Sequence, residues 1–387
     1  MSKQPPTFDE VAWELFEKSN ILSKKTMLGI SESLNTRFTV LFLAVAIAVV
    51  VPNNYIESRI SCFAINTPNK EESFIELFEN FCYTNGTILL FPHEPTPNTK
   101  SEWDNVSSSR KINYYQWFVV MLILQIACFK IPNRIWNYFS TMTTRMNLEE
   151  FICQVDETRK EMDALKYMER VNNAAQEIDR TLIGCKNYNN RSSLSNRVPI
   201  LKNNRLTLIY IFVKLIYIVN VIGQLFFMYK FMFDYQVFPS LTFQNRPGQV
   251  DRIFPRNVFC YISNIIGENT ANAYAGQCIL YLNMYNQVVY SLLYYWFMFV
   301  SVITVLSVPL FIFRTVRFGA RLDLIRHLLT VSKFYTNEDE PMVKKFMTNY
   351  LGCDGVFLIK KLNDNINRHV ASDVLTILFN DYRNANE

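Results

Sequence analysis

Half of the 387 residues are hydrophobic and 19% are charged, with a net charge of +5, yet the mean hydropathy is only +0.03. The positive excess sits where Lys and Arg flank apolar stretches, which accounts for it without nucleic acid. Three unclustered histidines, His93, His327 and His369, and no recognisable nucleophile or metal-ligand motif leave no basis for an enzyme, a cofactor or a metal site.

Residues 1–35 are polar and lack the short apolar core and small-residue cleavage site of a removable signal peptide. Within them Thr7 to Asn20 reads as an amphipathic helix capped by Thr7. Phe8, Val11, Ala12, Leu15 and Phe16 recur at helical spacing, and Asp9, Glu10, Glu14 and Glu17 occupy the other face. Such a helix can lie on a membrane or pack on a cytoplasmic domain.

A membrane span needs about 20 mostly apolar residues. Phe38 to Val51, Tyr114 to Phe129 continuing toward Phe139, Leu206 to Tyr229 and Val288 to Phe313 qualify, giving spans at 36–53, 113–139, 206–230 and 286–313. The uninterrupted part of the first covers only about 21 Å, so it recruits Asn35, Thr36, Asn53 and Asn54. Polar helix ends at membrane depth are tolerated against protein or water, which puts this span on the inner side of an assembly. Ala44 and Ala48 either permit close helix approach there or are ordinary apolar filler. Lys214 lies roughly 12 Å inside the third span and is read as snorkelling to the interface, while Asn220 and Gln224 are read as glue between helices.

Orientation follows from the cations near the span ends. Lys24, Lys25 and Arg37 precede the first span, Lys130, Arg134 and Arg145 follow the second, Lys202 and Arg205 precede the third, and Arg314, Arg317, Arg321 and Arg326 follow the fourth. The opposite flanks carry Arg59, Arg110, Lys111 and Lys230. Both termini are therefore expected inside. The N-terminal 1–35, the loop 140–205 and the region 314–387 would be cytoplasmic, and the loops 54–112 and 231–285 extracellular.

Four of the eight cysteines then lie in the oxidising compartment: Cys62 and Cys82 in one loop, Cys260 and Cys278 in the other. Spacing alone leaves three connectivities open, and bridges within each loop or between the loops fit equally. Cys128, Cys153, Cys185 and Cys353 read as buried or free thiols. The first loop also carries two accessible glycosylation sequons, at Asn85 and Asn105; a third, at Asn190, is on the cytoplasmic side. The cytoplasmic segments read as helical: Asn147 to Leu182 with Leu148, Ile152, Val155, Met162, Leu165 and Met168 as apolar positions, then Leu322 to Leu329, Pro341 to Tyr350 and Ser372 to Tyr382. Lys186 to Asn204 reads as a polar connection.

Where the first loop meets the second span stands Tyr114-Tyr115-Gln116-Trp117-Phe118. An aromatic belt explains the residue types but not their order. The run resembles the innexin signature Tyr-Tyr-Gln-Trp-Val, with Phe118 in the last place. Leu34-Asn35-Thr36-Arg37, Ile131-Pro132 with Arg134 to Trp136, Phe254-Pro255-Arg256, Leu282-Asn283-Met284-Tyr285 with Tyr295-Trp296-Phe297, and Asp354-Gly355-Val356-Phe357 are similar to innexin patterns in the same order across nearly the whole chain. One departure is Gln287-Val288, where many innexins carry an acidic-basic pair; this chain lacks the groups for an ion pair between subunits at that position.

The resemblance implies an all-α, four-span membrane protein with two disulfide-braced extracellular loops and a helical cytoplasmic domain. It would be a subunit of a large-pore channel at plasma-membrane gap junctions, with no catalytic, cofactor or metal site. Partners would be copies of itself or other innexins in an octameric hemichannel, the docking hemichannel of a neighbouring cell, and the lipid bilayer. The resemblance also favours Cys62–Cys278 and Cys82–Cys260 bridges, and turns the N-terminal helix toward the pore entrance, making Phe8, Asp9, Glu10, Glu14 and Glu17 pore-lining candidates. A glycan on Asn85 would obstruct docking and favour an undocked hemichannel. The alternative reading is a non-conducting four-span adhesion or junction-scaffold protein.

Overall fold

Four helices of the computed structural model are long and apolar enough to cross a bilayer: Ile30–Val51, Phe118–Thr144, Arg205–Lys230 and Leu282–Val316. The structure describes residues 29–55, 60–64, 72–90, 94–191, 204–232, 254–263, 273–333 and 339–385. Only 22–39% of each span is buried within the chain, so the remaining apolar faces need lipid or neighbouring copies. The first span starts six residues before the expected 36, because Leu34–Phe38 forms a π-helical turn that keeps the polar run Asn35 to Arg37 inside the helix. The second starts at Phe118 rather than 113, because Tyr114–Gln116 form a separate 3-10 turn. Pro132 and Pro309 sit inside the second and fourth spans, where each removes one backbone donor without ending the helix.

The described residues divide into two compact units. One takes in Phe38–Phe129 and Asn220–Val300. Its short strands β1 (Ser61–Ala64), β2 (Thr87–Ile88), β3 (Lys111–Ile112), β4 (Asn257–Ser263) and β5 (Ala273–Ile279) form one antiparallel sheet in the order β1-β5-β4-β2-β3. On β4 and its neighbour, Val258, Cys260, Ile262, Gly276 and Cys278 alternate inward with period two. They pack on Phe78 and Cys82 of the helix Glu72–Asn85. This sheet is an addition to the all-α expectation, which holds for the spans and for the second unit.

The second unit runs up to Arg37, through Lys130–Val219 and from Ser301 on. Its C-terminal helix Arg368–Asn384 buries Val370, Ala371, Val374, Leu375, Leu378 and Phe379 among the helices Ala164–Arg191, Phe318–Val331 and Gly352–Asn365. Asn147 and Asn367 cap their helices through side-chain oxygens. Three expectations fail here. Met162, Leu165 and Met168 are exposed rather than core, because Met162 falls in the break between the helices Leu148–Thr158 and Ala164–Arg191 and the latter turns Val171, Ala175, Ile178 and Leu182 inward instead. That helix also continues through Lys186 to Arg191, where a connection was expected. Gly352–Asn365, absent from the expected helices, is one of the most buried.

Candidate functional site

In the sheet unit, Cys62 on β1 stands opposite Cys278 on β5 and is bonded to it, while Cys82 on the Glu72–Asn85 helix is bonded to Cys260 on β4. The two bridges fasten three strands and one helix, drawn from sequence positions 216 and 178 residues apart, into one body. The sulfurs of Cys62, Cys82 and Cys278 lie within 4.8 Å of one another, but each is consumed by a disulfide and offers no thiolate to a metal. Gly276 is required here: a Cβ would sit 2.9 Å from the Phe78 ring and 3.0 Å from the Phe63 carbonyl oxygen. Cys62 N–H donates to Glu79 at 2.8 Å, tying the edge strand to the same helix.

The signature run secures the far end of that helix. Tyr115 is fully buried, its ring tilted against that of Tyr83 at 5.3 Å, and its hydroxyl donates to the Tyr83 carbonyl at 3.3 Å. Gln116 Nε2 donates to the carbonyls of Tyr83 and Thr84 at 2.5 and 2.9 Å. It thereby satisfies C-terminal carbonyls that a helix leaves open. Gly86 closes the helix with φ of 97°. Tyr114 packs edge-on against Phe254 at 6.0 Å, and Asn283 Nδ2 donates to the Pro255 carbonyl at 2.7 Å. Trp117 alone is exposed, at 57%, as an interfacial aromatic would be. Arg256 reaches Gln287 Oε1 at 3.5 Å. Asn85 and Asn105 are both exposed.

In the helical unit a polar network joins three spans to the C-terminal helices. Glu32, from the start of the first span, is ion-paired with Lys214 of the third, the two side chains only 2% and 7% exposed. Lys214 Nζ also donates to Ser307 of the fourth span at 3.2 Å, so it does not snorkel; a carboxylate meets it at depth. Lys361 of the Gly352–Asn365 helix donates to Tyr210 at 2.8 Å and lies over its ring. Burial lowers the Lys361 ammonium to about 8, with Glu32 opposing the shift and Lys214 adding to it. Asn35 donates to Thr304 at 2.7 Å, and Thr36 shares a hydrogen bond with Tyr217 at 2.9 Å.

Asp354 gives the C-terminal pattern its physical role. Its carboxylate accepts from the N–H of Leu206 at 3.1 Å, and from the N–H and hydroxyl of Thr207 at 3.0 and 2.9 Å. A carboxylate so placed fills the orphan donors at the start of the third span and meets the positive end of its dipole. Burial raises the Asp354 carboxyl above its usual range, and the same donors pull it back. Gly355 allows the close approach, since a Cβ would lie 3.0 Å from Leu351. Phe357 packs with Tyr210 at 5.0 Å and with Trp136, four residues past Pro132, at 6.2 Å.

Sequence reasoning missed Glu32 and Lys361; the one available signal for Glu32 was a carboxylate within two turns of an apolar run, with a lysine at depth in another span. Asn220 Nδ2 and Gln224 Oε1, expected to glue helices, find no partner among the described residues. Phe8, Asp9, Glu10, Glu14 and Glu17 lie outside the described residues.

Four apolar spans with a disulfide-stapled sheet and a buried polar joint define a multi-pass membrane protein. The Innexin family model matches residues 30–382, and the chain belongs to the innexin family. Innexin unc-9 of Caenorhabditis elegans is 24% identical over 91% of this chain and 92% of its own length. Innexin-11 of the same species is 25% identical over 81% and 71%, and Innexin-19 of Caenorhabditis briggsae 23% over 92% and 86%. The protein is a subunit of oligomeric gap-junction channels and a multi-pass protein of the plasma membrane.

Proposed function

We propose that copies of this chain, alone or with other innexins, ring a central pore as an octameric hemichannel with both termini cytoplasmic, and that two hemichannels dock through the disulfide-stapled sheet units in the gap between cells. The observation that carries this reading is the pair of bridges, which join residues 216 and 178 positions apart. Cross-links closing such long loops restrict the unfolded chain strongly, so the sheet meets an opposing hemichannel as one rigid surface.

The first span faces the pore in this reading. Leu43, Ala46 and Val50 are buried, while Ala44, Val45, Ala48 and Val49 are exposed along one side, a side its own chain leaves uncovered. The acids Asp9, Glu10, Glu14 and Glu17, turned to the pore entrance, favour cations by through-space attraction. The protein carries out passage of ions and small molecules, not chemistry on them.

An undocked hemichannel is the second reading, favoured by exposed Asn85 at the end of the Cys82 helix. Paired-cell recording tests both. Junctional current with the chain expressed in both cells supports docking. Current confined to unpaired cells, with docking restored by Asn85→Gln, supports the hemichannel. Silence in every arrangement, including co-expression with another innexin, sinks the channel reading.

A further inference from the structure

Where the fourth span ends, a cavity of about 360 Å³ opens between its last turn, the helix Phe318–Val331 and the helix Gly352–Asn365. Arg314, Arg321 and Lys360 line it against one carboxylate, Asp323. The balance of the lining is cationic: Arg314 has no salt-bridge partner among the described residues, and burial lowers the Lys360 ammonium, with Asp364 opposing the shift and Arg314 and Lys214 adding to it. Two further polar atoms have been left without partners. Thr315 is 93% buried, being 7% exposed, and its hydroxyl is unsatisfied, as is Arg321 Nε. Buried donors without partners are costly and rare, and these two belong to residues lining one cavity. The remaining wall is apolar, from Val356, Phe357 and Leu324. Phe313, Val316 and Phe318, neighbours in sequence of the lining residues, are exposed at 58%, 65% and 44%, as suits a segment at the edge of a bilayer.

We propose that this cavity binds the phosphorylated headgroup of an anionic membrane lipid, with Arg314, Arg321 and Lys360 on the phosphate and Thr315 donating to it. Two guanidinium groups and one ammonium lining one cavity suit a phosphomonoester better than a zwitterionic headgroup, and basic pockets beside spans recur as sites for such lipids. The cytoplasmic leaflet as source rests on the topology proposed above; the chemistry of the cavity does not.

The test uses the full-length protein in neutral detergent and a fluorescent short-chain phosphatidylinositol bisphosphate, read by anisotropy. Saturable binding is expected, displaced by unlabelled lipid of the same class and not by phosphatidylcholine. Arg314→Gln and Lys360→Gln should each weaken it roughly tenfold, and Arg317→Gln, outside the cavity, should leave it unchanged. Ala320→Phe fills the cavity with every charge retained and should also abolish binding, with unchanged elution and melting as evidence of folding. Equal loss in Arg317→Gln, or full binding by Ala320→Phe, would reduce the effect to surface charge and overturn the proposal. Soluble inositol trisphosphate competing as well as the lipid would overturn the lipid as ligand. Because the readout is binding to purified protein, failure of the channel reading in paired cells leaves this test untouched.

Discussion

Two ammonium groups, Lys214 and Lys361, share a single carboxylate, Glu32, where the Glu32 and Lys214 side chains are 2% and 7% exposed. Removing one partner of a buried ion pair costs about 3–5 kcal/mol, chiefly because the other charge is left uncompensated. The two deletions are therefore unequal. Glu32→Gln strands two cations beside each other and should fall at the upper end, about 4–5 kcal/mol. Lys214→Met leaves Glu32 with Lys361 as one pair and should cost only about 1–2 kcal/mol, mostly the lost packing on Tyr210 and Phe311. The double variant should fall short of the sum by about 2 kcal/mol, since the groups share one network. The assay is reversible denaturation of the full-length protein in mixed micelles, titrated with SDS and followed by circular dichroism, for wild type, both singles and the double. Equal losses in the two singles, or strict additivity, would refute the reasoning.

The same site sets a pH dependence. Lys361 titrates near 8 when folded and near 10.4 when unfolded, so between those values the unfolded chain binds the extra proton and stability rises with pH. Below about pH 8 both states are protonated and the penalty is full; Lys361→Met should flatten the slope between pH 8 and 10.4 in the same denaturation assay. Asp354→Ala should cost about 2 kcal/mol by stripping two N–H donors and one hydroxyl of their acceptor. Amide exchange at Leu206 and Thr207 should quicken, with Asp354→Asn intermediate; unchanged exchange would deny the cap. Cys62→Ser or Cys278→Ser should abolish cell-to-cell coupling, whereas Cys153→Ser and Cys185→Ser should leave it intact, and unimpaired coupling in the loop variants would count against a rigid docking cap.

The four spans were legible because length and apolarity at membrane depth are properties of a single segment. The sheet was not, because its strands are short and its order, β1-β5-β4-β2-β3, pairs segments far apart in the chain. Nothing in either loop alone specifies that Cys62 will stand opposite Cys278; register between distant strands fixes that. The signature run shows the same divide. An aromatic belt describes Trp117, which is exposed, but Tyr115 and Gln116 follow it in neither burial nor partner, since both serve a helix end some thirty residues earlier. Their order was informative only through the resemblance.

Lys214 marks the limit most clearly. Its depth in the span could be counted, and an intramembrane cation must either reach water or find an anion. Choosing between those fates requires the position of Glu32, which looked like part of a polar cytoplasmic flank because Asn35, Thr36 and Arg37 separate it from the apolar run. The π-helical turn at Leu34–Phe38 carries the helix through that polar stretch, placing Glu32 beside Lys214 and Asn35 against Thr304. A polar run at a span end thus belongs inside the span when each of its members has a partner on another helix, and that condition is a property of the packed helices rather than of the run itself.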